Sequence, residues 1–99
     1  MQQLILAEDI FDQLETGKRT TIRKGRRSIN LDELEFESLT EKRKAVYYAR
    51  MVYYCKLKDV LESDLINDGF ENHADLLDKM KRFYPDLTDE TELTVIRFK

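Results

Sequence analysis

The stretch Lys44–Lys58, KAVYYARMVYYCKLK, decides the fold. Ala45, Tyr47, Ala49, Met51, Tyr53, Cys55 and Leu57 recur every second residue, which is the pattern of one face of a β-strand. Val46, Tyr48, Arg50, Val52 and Tyr54 make a mixed opposite face. A strand of this length normally bends or bulges, and bends of that kind let a small sheet close towards a barrel.

Upstream, Leu34–Leu39 alternates Leu34 and Phe36 with Glu33, Glu35 and Glu37, as a half-buried strand does, and the EKRK run that follows reads as a polar turn. Thr20, Thr21 and Ile22 favour a shorter strand, ended by a turn at Lys24-Gly25. Ala7–Thr16 reads as a helix with Ile10, Phe11 and Leu14 at helical spacing, and Gly17 stands where a left-handed C-cap residue is common. Downstream, Ser63 caps a brief helix ending at Gly69, and Asn72 or His73 starts a longer one. That helix is expected to turn Leu76, Leu77, Met80 and Phe83 to the core and to stop before Pro85. Glu92–Phe98 closes the chain as a strand, with Leu93, Val95 and Arg97 opposing Thr94, Ile96 and Phe98. This order predicts an α+β fold, a curved and mainly antiparallel sheet with short flanking helices, as one domain over residues 1–99.

Composition narrows the function. Hydrophobic residues at 41% and charged ones at 37% suit an ordinary soluble globular chain with one modest core. MQQLILAED has neither the basic start nor the apolar run of a secretory signal, and AVYYARMVYYC is interrupted by Arg50 and too short to span a bilayer. A lone cysteine, Cys55, fits a reducing cytoplasm, which is the expected location. With one histidine, His73, and one cysteine, no zinc site of the usual spacing forms, so neither a metal nor another cofactor is expected. His73 lies at a helix start, a poor place for the base of a Ser-His-Asp triad, and Gly17, Gly25 and Gly69 are too scattered for a phosphate loop. The tyrosines of the long strand could stack bases, but such alternation is more economically core packing.

Charge is distributed unevenly. Gly17–Arg27, GKRTTIRKGRR, holds six of the seventeen basic residues and no acid, leaving eleven basic residues against twenty acidic ones elsewhere. Concentrated positive charge commonly meets an anion. In a strand Thr21 and Arg23 share a face, and Lys18, at the turn before it, can fold towards Thr21. Arg23 offers a forked donor for phosphate, carboxylate or a polarised carbonyl, and Thr21 a hydroxyl that becomes a nucleophile once a base takes its proton. Lys18 can be that base if Arg19, Arg23 and partial burial lower its pKa. The competing reading makes Thr21 a β-former and the cations a solvated face against phosphates. Residue chemistry alone favours that plainer reading, with Lys24, Arg26 and Arg27 attracting the ligand or touching its backbone.

The run GKRTTIR, Gly17–Arg23, after a short helix resembles the signature of ASCH domains, small relatives of the PUA RNA-binding fold. DVLESDLINDGF (Asp59–Phe70), then a helix, RFYPDL (Arg82–Leu87) and TVIRFK (Thr94–Lys99) are similar to the carboxy-terminal half of that family in the same order, so the resemblance covers nearly the whole chain. It implies a PUA-like β-barrel with helices alongside, a positively charged cleft and a role in RNA binding or RNA metabolism. It also implies, for some small bacterial members, amidohydrolase activity that removes the acetyl group of N4-acetylcytidine. Those members use a lysine base, a threonine nucleophile and a glutamate in a K-x-x-T-x-R arrangement. Lys18, Thr21 and Arg23 match the spacing, and the glutamate position falls on Asp68, one methylene shorter, with Glu71 beyond the Gly-Phe pair.

The resulting expectation is an RNA or modified nucleoside bound in a basic cleft. Lys18, Thr21 and Asp68 would be catalytic, and Arg19, Arg23, Lys24, Arg26, Arg27 and Glu71 would contact the ligand. A non-catalytic RNA-binding module is the first alternative, and a protein-interaction domain using the acidic stretches Glu33–Glu41 or Asp86–Glu92 the second. No membrane partner is expected, and the oligomeric state is left open.

Overall fold

The alternation in Lys44–Lys58 does produce a long strand, but its two halves face different cores. The computed structural model describes residues 2–99, in which β1 (Gln2–Leu6), α1 (Glu8–Asp12), β2 (Thr20–Lys24), β3 (Glu33–Ser38), β4 (Lys44–Lys56), α2 (Glu62–Asn67), α3 (His73–Met80) and β5 (Glu92–Phe98) follow in order. The strands form one five-stranded sheet in the order β1-β3-β4-β5-β2. Pairings β3–β4, β4–β5 and β2–β5 are antiparallel, and β1–β3 is parallel. The sheet curls into a half-barrel with short helices beside it, an α+β architecture as the pattern predicted.

A register shift between Ala49 and Met51 makes Arg50 the extra residue of a bulge. Before it, Ala45, Tyr47 and Ala49 face one core, with Leu34, Phe36, Ile96 and Phe98. After it the parity changes: Val52 joins that first core, whereas Tyr53 and Cys55 pack in a second one with Leu93, Val95, Leu65, Leu76 and Met80. The single period-two face expected from Ala45 to Leu57 is therefore split, and Met51 is left exposed. β5 lies between β4 and β2 and serves both cores, Leu93 and Val95 on one side, Ile96 and Phe98 on the other.

Other elements depart from expectation for local reasons. Gln2–Leu6 is a strand no signal had suggested, held parallel to β3. The Ala7–Thr16 helix is α-helical only to Asp12 and tightens into a 3₁₀ turn over Gln13–Thr16, which Gly17 ends at φ 109° in the left-handed region as anticipated. Ser63 lies inside α2 rather than capping it, since the helix begins after Leu61. Asn72 does cap α3, its side chain accepting from the Asp75 amide at 2.8 Å. α3 ends at Met80, so Phe83 falls beyond the helical stripe and is exposed instead of buried. Among the described residues no helix is long and apolar enough to cross a membrane.

Candidate functional site

β2 begins where Gly17 reverses the chain, and this brings the basic stretch against the C-terminal end of α2. Strand geometry puts Thr20 and Ile22 on one face, with Ile22 in the second core and Thr20 Oγ1 donating to buried Asp64 at 3.3 Å. Thr21 and Arg23 occupy the other face, where Arg23 Nε donates to Thr21 Oγ1 at 3.3 Å. That face lines a cleft of about 610 Å³, a volume ordinary for a small-molecule site. Lys18, Thr21, Arg23 and Asp68 all line it, together with Ile10, Phe70, Phe83 and Tyr84.

Lys18 and Asp68 form a buried ion pair, their side chains only 3% and 7% exposed. The Lys18 ammonium also donates to the Thr20 carbonyl at 2.6 Å. It thus folds over β2 as expected, but onto Thr20 and Asp68; among the described residues no hydrogen bond joins it to Thr21. Burial is the main influence on both groups. It lowers Lys18 despite the opposing charge of Asp68, and it pushes Asp68 up to about 6 despite Lys18 and Arg23. Burial thus eases the amine towards losing its proton, while the carboxyl, at about 6, is still mostly ionised at neutral pH and keeps the pair. Burial also draws Arg23 down to about 10. Its Nη1 donates to the Ile5 carbonyl at 2.9 Å, while Nη2 is buried with no partner among the described residues.

The remaining expected contacts lie elsewhere. Arg19 donates to the Leu14 and Lys18 carbonyls and stacks over Tyr47, 4.9 Å from the ring centre, so it secures the turn. Lys24 pairs with Asp86 at 3.0 Å, and Arg26 lies 3.7 Å from Glu92 with its guanidinium over Tyr54. The Arg27 amide donates to Thr94 Oγ1 at 2.8 Å. None of these four, nor exposed Glu71, is among the residues lining the cleft; the Glu71 amide donates to Asp75 at the start of α3. The cleft itself is of mixed charge, with Lys18, Arg23, Lys79 and Arg82 against Asp9, Asp68 and Asp78, and Arg82 is paired with Asp9 at 3.0 Å. Asp64, unremarked in the sequence, accepts from Thr20, Tyr53 and Arg97. The available signal was the Asp64–Asp68 spacing of four, which sets both carboxylates on one helical face.

No family model matches this sequence, and no curated protein matches it either. A search of solved structures finds a serine-to-alanine mutant of ZmASCH from Zymomonas mobilis, at TM-score 0.69 and 10% identity. The match covers 98% of this chain and 66% of that protein, so the chain spans just under two thirds of its length. Such an identity speaks for backbone architecture alone, and on that ground the mixed half-barrel with its short helices is an ASCH-like, PUA-like α+β fold.

Proposed function

We propose that the cleft binds a modified nucleoside, free or within RNA, and hydrolyses an amide on its base, the acetyl group of N4-acetylcytidine being the substrate class that fits. The observation that carries this reading is the convergence of Lys18, Thr21, Arg23 and Asp68 on one partly apolar cleft, with burial easing the lysine towards its neutral form and raising the carboxyl to about 6. Phe70 and Tyr84 offer flat apolar surface to a base.

In this mechanism neutral Lys18 takes the Thr21 hydroxyl proton as Oγ1 attacks the acetyl carbonyl carbon. The unpartnered Nη2 of Arg23 is the donor available to the developing oxyanion. The C–N bond breaks as the proton passes from Lys18 to the departing amine, and Asp68 assists that transfer across its contact with Lys18. Water then attacks the acyl-threonine, releasing acetate and restoring the hydroxyl. Lys18 must swing from the Thr20 carbonyl to reach Thr21, a rotamer change that ligand entry would accompany.

The test is incubation with N4-acetylcytidine, free and in a short RNA, with chromatographic detection of cytidine and acetate. Release of both above the uncatalysed rate is expected. Binding without release, weakening steeply with salt, would instead support the RNA-binding alternative, in which phosphate contacts dominate.

A further inference from the structure

The end of α2 lies along the entry to β2 as a clasp with three rungs. Lys18 pairs with Asp68, the Arg19 amide donates to Asn67 Oδ1 at 3.0 Å, and Thr20 Oγ1 donates to Asp64 Oδ1 at 3.3 Å. The Asp64 rung is the most heavily held. Its carboxylate, 3% exposed, also accepts from Arg97 Nε at 2.8 Å, Arg97 Nη2 at 3.0 Å and the Tyr53 hydroxyl at 2.5 Å. Arg97 stands opposite Thr20 in the β2–β5 ladder, so one carboxylate ties α2 to β2, β4 and β5.

A helix of six residues has little stability of its own, and its place depends on its tertiary contacts. One turn after Asp64 comes Asp68, whose amide donates to the Asp64 carbonyl at 3.0 Å. We infer that Asp64 is a positioning residue for the cleft: its bidentate pairing with Arg97 fixes the helical turn that delivers the Asp68 carboxylate to Lys18. Asp64 takes no part in proton transfer. Burial would raise its carboxyl, but the hydrogen bonds from Arg97 and Tyr53 outweigh this and hold it below the ordinary range, so it stays ionised.

The turnover arm of the test rests on the hydrolase reading above, whereas the contact arm does not. In wild-type protein the Lys18 ε-methylene and the Asp68 β-methylene should give a nuclear Overhauser effect. Asp64→Asn is expected to keep a folded spectrum, to lose that effect and to lower kcat on N4-acetylcytidine about 10²-fold, the scale of an ångström-level misplacement, with KM little changed. Leu65→Ala, in the same helix and the same buried layer, should lower Tm while keeping the Lys18–Asp68 contact. Should Asp64→Asn fail to fold, Arg97→Gln removes the bidentate pairing from the other side and should weaken the contact. A folded Asp64→Asn or Arg97→Gln protein that keeps the contact at full strength overturns the inference, as does its loss in Leu65→Ala. If wild-type protein releases no cytidine, the hydrolase reading fails while the contact arm still decides the role of Asp64.

Discussion

Arg23 Nη1 donates to the Ile5 carbonyl at 2.9 Å and so joins β2 to β1, the two edge strands at opposite ends of the sheet order. The same guanidinium steadies Thr21 through Nε, Arg23 lines the cleft, and among the described residues its buried Nη2 has no partner. One side chain thus closes the seam of the half-barrel and furnishes its wall. Arg23→Gln is expected to lower unfolding free energy by about 1.5–3 kcal/mol, the range for a hydrogen bond to a charged group. Urea denaturation checks this, and an unchanged midpoint would show that the seam is held without Arg23.

The Lys18–Asp68 pair makes a directional prediction. The positive charge of Lys18 pulls the Asp68 carboxyl down from where burial alone would leave it. Lys18→Met should therefore raise the Asp68 midpoint above about 6, as followed by carbon NMR of the carboxyl; a fall would mean that the Lys18 charge does not hold the carboxyl down.

Stability should carry the same signature. Because the folded-state pKa of Asp68 is raised, to about 6 from an ordinary 3.8, its contribution is fully present below 3.8 and is lost as pH rises through about 6. Glu8 and Glu90, held at about 2, act in the opposite sense, and their contribution is lost as pH falls below the ordinary 4.5. The window from about 4.5 to 6 therefore isolates Asp68. Across it, wild-type protein should lose stability relative to Asp68→Asn, and parallel curves would contradict the shift.

The fold was legible wherever a pattern was local. The alternation of β3, the two-sided β5, the left-handed Gly17 and the Asn72 cap could all be read from neighbouring residues. Features that depend on distant partners could not. β1 is a strand because Glu33–Ser38 lies alongside it, and its own QQLIL carries only two buried positions, Leu4 and Leu6. The bulge at Arg50 is invisible to a period-two count, which continues past it unchanged, yet it divides the tyrosine strand between two cores. In the candidate site, Thr21 and Arg23 on one face followed from strand geometry. Asp64 did not, since an acid in ESDLIN reads as solvated until Arg97 arrives from the last strand to neutralise it.

Phe83 and Phe36 provide a contrast. Phe36 is fully buried, with its ring centre 4.7 Å from that of Phe98, whereas Phe83 is 46% exposed at the cleft. Phe36→Ala should cost about 3–5 kcal/mol, and Phe83→Ala within about 0.5 kcal/mol while altering ligand affinity. Equal destabilisation by the two would return Phe83 to the core.

Whether Thr21 is the nucleophile of the proposed amidohydrolase is decided by the rate of cytidine release from N4-acetylcytidine by wild-type and Thr21→Ala protein. Thr21 is buried against β5 and opposite Ile96, so alanine fits its place in the ladder, and folding is checked by circular dichroism. Wild-type protein should release cytidine, with an acetyl group transiently trapped on Thr21, and the variant should release it only at the uncatalysed rate. Equal rates for the two proteins would remove Thr21 from the mechanism.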